Sequence, residues 1–192
     1  MSTLRQNRIS GEMEFHVECV RDSKSAALSW RCCDLKQFCA KVAELNDMQE
    51  EGVLRNARND TDYDERRDAG DAAASAFREV WNGLAPDLAT SSHESVVGNA
   101  FYHRCAQARA AANGMQVGPE MQADHVHEIQ LGGAPQDFGN LRWLSQSVNG
   151  SIGSTLKQFD PATAGGGIST DCCPAEGRAT CADEGSDEAM AF

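Results

Sequence analysis

One stretch limits the possible fold more than any other: after Gly118-Pro119 two short runs rich in apolar residues flank a Gly-Gly pair, and a helical pattern follows. QADHVHEI reads as a strand over 122–129, Gly132-Gly133 allows a sharp reversal, and NLRWL reads as a second strand over 140–144. A helix over about 145–159 closes the unit. Strand, loop, strand and helix in immediate succession predict an α+β fold.

The preceding chain has a different texture. Met13, Phe15, Val17 and Cys19 alternate with Glu12, Glu14, His16 and Glu18, the period of a strand with one buried face. From about Ser25 to Asn46, Leu28, Cys32, Leu35, Cys39 and Val42 form an apolar stripe at helical spacing, widened by Trp30, Phe38 and Leu45. The charge-dense segment from Met48 to Asp68 reads as a loop or a short solvated helix. Ala73, Phe77, Val80, Trp81 and Leu84 predict a second helix over about 64–83, ended before Pro86, and Ser91 with Glu94 caps a third that runs to Asn113-Gly114. Three regions result: a mainly helical segment 1–114, the strand-loop-strand-helix unit 115–160, and a Gly- and Cys-rich acidic tail 161–192, extended by composition.

Composition narrows the functional classes. At 192 residues the chain has room for one domain with appendages or two small ones. A formal net charge of -12 predicts weak general attraction to nucleic acid, because phosphate binding is driven by Lys and Arg. No apolar run is long enough to cross a membrane, so no membrane partner is expected. The first residues carry scattered charges and no apolar core of a secretory leader, so export would use another route.

Chemistry concentrates in the strand-loop-strand-helix unit, in Asp124, His125, Asn140 and Asn149. A carboxylate and an amide oxygen are hard ligands suited to Mg2+ or Mn2+, and a neighbouring imidazole can take a proton from water near neutral pH. ADHVHEIQLGG, FGNLRWL and SVNGSIGS together resemble, in order and spacing, the motif of the HNH, or ββα-metal, nucleases. The last run is similar to the toxin domains of bacterial polymorphic-toxin and type VI secretion systems. The resemblance covers residues 115–160. It implies that His125 is the general base, that Asp124 and Asn149 hold one divalent ion, Mg2+ or Mn2+, and that Asn140 orients the His125 ring or braces the loop. It further implies a metal-dependent DNase that leaves 5'-phosphate ends, delivered as an antibacterial effector into the cytoplasm of a target cell. Its partners would be DNA, a cognate immunity protein and a component of the secretion apparatus.

Two positions depart from the motif: Asn149 stands where His is common, favouring Mg2+ or Mn2+, and Glu128 stands where Pro is common. A regular strand also sends Asp124 and His125 to opposite faces. His127, at strand spacing from His125, is an accessory candidate for phosphate or metal, or else a partner of Glu128 or a backbone carbonyl. Arg142, Arg104 and Arg109 are candidates for gripping a phosphate. Cys19, Cys39 and Cys105 lie on apolar faces and suit core packing, whereas Cys172, Cys173 and Cys181 lie where no apolar pattern explains them. Disulfides between the tail and the cluster Cys32, Cys33 and Cys39 account for that placement and imply an oxidising compartment. Alternatives to the secreted DNase are an RNase or a phage-type HNH nuclease in its own cytoplasm, and a degenerate HNH scaffold that serves as an acidic protein-binding module.

Overall fold

A computed structural model describes residues 2–6, 8, 11–18, 32–83, 121–171 and 173. Their order is β1 (Ser2–Gln6), β2 (Met13–Val17), α1 (Cys32–Glu50), α2 (Tyr63–Gly83), β3 (Met121–His125), β4 (Leu141–Ser145), α3 (Gln146–Leu156) and β5 (Ile168–Thr170). The architecture is α+β. Short 3-10 turns at Ile129–Leu131 and Phe138–Asn140 bracket the loop between β3 and β4.

The alternating segment forms β2 as its pattern predicts, with Phe15 and Val17 buried; His16 is buried as well, its Nδ1 3.2 Å from the Ser169 hydroxyl. β1, which sequence reasoning did not anticipate, pairs antiparallel with β2. The helix expected to stop near Asn46 continues to Glu50, where backbone bonds from Glu51 to Asp47 and Gly52 to Gln49 wind it down. Gly52, at φ 70°, turns the chain out. The second helix appears at Tyr63–Gly83, close to its expected span. The helix expected from Ser91, with Arg104, Cys105 and Arg109, lies outside the described residues, as do Cys19, Cys172 and Cys181.

β3 and β4 form an antiparallel hairpin in which Gln122 faces Leu144, Asp124 faces Arg142 and His125 faces Leu141. Cross-strand partners share a face, so one face presents Met121, Ala123, His125, Leu141 and Trp143 and the other Gln122, Asp124, Arg142 and Leu144. Phe77 of α2 packs its ring 5.3 Å from Trp143 and 5.8 Å from Phe138 on the first face. Leu144 on the second joins the main core, where Phe38, Val42 and Leu45 of α1 meet Val148, Ile152 and Leu156 of α3. α3 itself is capped by Ser145, whose hydroxyl accepts from the Val148 amide.

The expected tail is in part structured. Ala164 is buried in the main core and Ile168–Thr170 pair in parallel with Phe15–Val17; just before the tail, the helix expected to reach 159 ends at Leu156, and Phe159 turns into the same core. Asn46 at the end of α1 fixes that strand by accepting from the Ile168 amide at 2.7 Å and donating to the Ile168 carbonyl at 2.9 Å. Just beyond, Cys173 forms a disulfide with Cys39 across 134 residues. Cys39 is thus buried in the core not as a free thiol but as the half-cystine that ties the chain after β5 to α1. The side chains of Cys32 and Cys33 lie outside the described residues.

Candidate active site

Local backbone chemistry sets the shape of the loop that follows β3. Gly132 closes the first 3-10 turn at φ 103°, in the left-handed region. A Cβ on Gly133 would collide with the His127 carbonyl, so only glycine lets the two backbones approach. Asn140 then braces the loop from the start of β4: its Oδ1 accepts from the His127 amide at 2.8 Å, while Nδ2 donates to the carbonyls of His127 at 3.0 Å and Ala134 at 3.1 Å. Arg66 of α2 donates to the Gly133 carbonyl at 2.8 Å, and the amides of Arg55 and Ala57 bond to the carbonyls of Leu131 and Gln130. The segment after α1 is stitched to the loop.

His125 ends β3 on the aromatic face, 8% exposed, packed against Gly70 of α2. Its Nε2 lies 2.9 Å from the Pro135 carbonyl. A carbonyl only accepts, so Nε2 carries the proton and Nδ1 keeps the basic lone pair. Burial holds the imidazole below its usual titration range, against the opposing pull of the Pro135 carbonyl and Glu128. The ring is a neutral base at neutral pH.

A cleft of about 660 Å³ opens beside this ring. Gln122, His125, Glu128 and Asn149 border it, with Arg58, Arg67 and Lys157 contributing positive charge and Asp71 negative. Arg58 is held by Asn56 Oδ1 at 3.0 Å and the Phe159 carbonyl at 2.9 Å, whereas Arg67 lies 6.0 Å from the Tyr63 ring. Gly150 and Gly153 form part of the α3 wall, and a Cβ on either would meet only open space. The wall can therefore admit a bulky chain.

Asp124 and Asn149 are not brought together as ligands of one ion. Asp124 points to the opposite face from His125, where its Oδ2 pairs with the ammonium of Lys41 on α1. Lys41 also lies 2.7 Å from Glu128 Oε1 and donates to the His125 carbonyl at 2.6 Å. Asn149 instead donates to Gln122 Oε1 at 2.9 Å. Among the described residues no group of three or more His, Cys, Asp or Glu side chains is arranged to hold a metal. The residues as placed do not fit the divalent ion that the resemblance implies, because a fixed ammonium already occupies Asp124 Oδ2 and Asn149 is engaged with Gln122.

Burial pushes Lys41 toward neutrality, but the attraction of Asp124 and Glu128 outweighs it and raises the group above its usual range. Burial raises both carboxyls too, against the pull of Lys41, since one lysine cannot fully offset two buried acids. His127 turns into the loop, its Nε2 3.0 Å from the Leu131 carbonyl, and Arg142 donates to the Gly139 and Leu141 carbonyls at 2.7 and 2.8 Å. Both side chains engage the loop's own backbone, and neither borders the cleft. Sequence reasoning missed Lys41, Gln122, Arg58, Arg67 and Tyr63. Lys41 left a trace, lying three residues after Phe38 and four before Leu45 within an apolar stripe.

The chain matches no family model, no curated protein and no solved structure.

Proposed function

We propose that the protein is a nuclease of the HNH kind that hydrolyses DNA phosphodiesters in this cleft, with His125 as general base. The observation that carries the reading is the single-tautomer, neutral imidazole at the edge of a cleft lined by Arg58, Arg67 and Lys157 in a chain that is otherwise strongly acidic. Nδ1 of His125 takes a proton from water as the water oxygen bonds to phosphorus. The P–O3' bond breaks, the 3' oxygen leaves to be protonated by solvent, and the new end is a 5'-phosphate. Arg58, Arg67 and Lys157 supply charge that attracts the backbone and opposes the negative charge building on phosphate oxygens. No catalytic step is assigned to a metal. An antibacterial-effector role, with an immunity protein that blocks the cleft, extends the same reading.

Plasmid cleavage in Mg2+-containing buffer tests it, with single-stranded RNA as a parallel substrate. His125→Ala should lower the rate by roughly 10²- to 10⁴-fold without unfolding the protein. A folded His125→Ala protein that cuts as fast as wild type would falsify the base assignment. The hold of Lys41 on Asp124 favours a second reading, a catalytically silent scaffold whose acidic surface binds protein. Folded wild type that cleaves neither substrate selects it.

A further inference from the structure

Lys41 is a buried charge that the proposed chemistry leaves without a role. It is 1% exposed, so water cannot share its solvation. Its ammonium donates to Asp124 Oδ2 and to the His125 carbonyl at 2.6 Å, and forms an ion pair with Glu128 Oε1 at 2.7 Å. Two carboxylates and a backbone carbonyl are the donors that a hard cation would choose. Here they surround a nitrogen.

The nitrogen is held from behind as well. Phe38, Val42 and Leu45 seat the same helix in the main core, and the Cys39–Cys173 disulfide anchors it two residues from the lysine. Displacing the ammonium would leave it buried without acceptors, a costly state for a charged group. A divalent ion placed beside it instead would meet a like charge at close range.

We infer that Lys41 is a built-in counter-cation. Its ammonium takes the seat between Asp124 and Glu128 that a divalent ion would need, and through the His125 carbonyl it fixes the end of β3 from which the imidazole projects. The wild-type protein therefore binds no Mg2+ or Mn2+ at this seat. Resting on the nuclease reading above, the catalytic consequence is that cleavage continues in chelator.

The test uses the full chain, freed of metals by chelator and then titrated with Mn2+, followed by calorimetry and by thermal melting. Wild type should give no saturable binding and an unchanged Tm. Lys41→Met, which keeps a linear side chain but removes the charge, should melt lower without metal, gain saturable Mn2+ binding and shift upward in Tm as Mn2+ is added. Adding Asp124→Asn to that variant should abolish the gain. A folded Lys41→Met protein that gains no binding overturns the assignment. So does wild-type Mn2+ binding that Asp124→Asn removes, an arm that decides the matter even if Lys41→Met does not fold. Plasmid cleavage separates the two readings: a wild-type rate lost in chelator overturns the catalytic half, whereas no cleavage under any condition, together with no Mn2+ binding by wild type and a gain in Lys41→Met, removes the nuclease reading and keeps the counter-cation.

Discussion

The two faces of the β3–β4 hairpin are sealed by opposite means. Toward α2, Trp143, Phe77 and Phe138 interlock as rings, and Arg78 lies 5.0 Å over the Trp143 ring. Toward α1, Asp124 is sealed by a buried lysine that also serves Glu128. Apolar burial is non-directional and degrades by increments, whereas a buried ion cluster fails when any one member is missing. His125 and Asp124, adjacent in sequence, inherit these different surroundings. The first is kept neutral and available beside the cleft; the second is committed to internal structure.

The largest stability change expected on either side comes from the covalent tie behind the charged face. Replacing Cys39 and Cys173 together by Ala should cost about 4–5 kcal/mol on chain-entropy reasoning for a loop of this length. Chemical denaturation measures it, and a loss below about 1 kcal/mol would mean that the fold, rather than the bond, holds β5 in place.

Next come single truncations of similar size but different logic. Lys41→Met and Phe77→Ala should each cost roughly 3–5 kcal/mol. The contrast lies in repair: Lys41→Met combined with Asp124→Leu and Glu128→Leu should recover most of the loss, because no uncompensated charge remains. If the triple variant is less stable than Lys41→Met alone, the charged face is not sealed as an ion cluster.

The smallest effect concerns pH. Burial sets the folded titration of His125 below its unfolded value of about 6.5. Above that unfolded value the ring is neutral in both states. As pH falls below it, the unfolded chain takes up the proton first, so stability is lost on acidification until the folded ring also protonates. His125→Gln should flatten that slope in denaturation curves below about pH 6.5. The acid limb of the cleavage rate should likewise lie below about 6.5, and a limb above that value would contradict a buried base.

The hairpin and α3 were legible in outline because the Gly-Gly reversal and the short apolar runs beside it are local signals, but the strand expected over 122–129 ends at His125, where a 3-10 turn at Ile129–Leu131 takes over. The brace formed by Asn140 was one of two roles that the resemblance implied, and the bonds of Asn140 to His127 and Ala134 are those of a loop brace. Ion pairing was not. Lys41 stands out in an apolar stripe, but nothing local says that it meets Asp124, 83 residues away. β5 was hidden more completely, because a three-residue strand has no periodicity and its partner is chosen by Asn46 and by the open edge of β2.

That pairing of β2 with β5 also sets a schedule. His16 and Ser169 are 153 positions apart, so on the ribosome the β2 edge emerges long before its partner exists. Local elements such as the hairpin and α3 can form early, but the three-stranded sheet can close only after residue 170 has left the exit tunnel. Contacts this distant in sequence slow the search and expose an unpaired strand while it lasts. Completion of the N-terminal sheet is thus a late event, which waits for residues 168–170 long after β1 and β2 have been made.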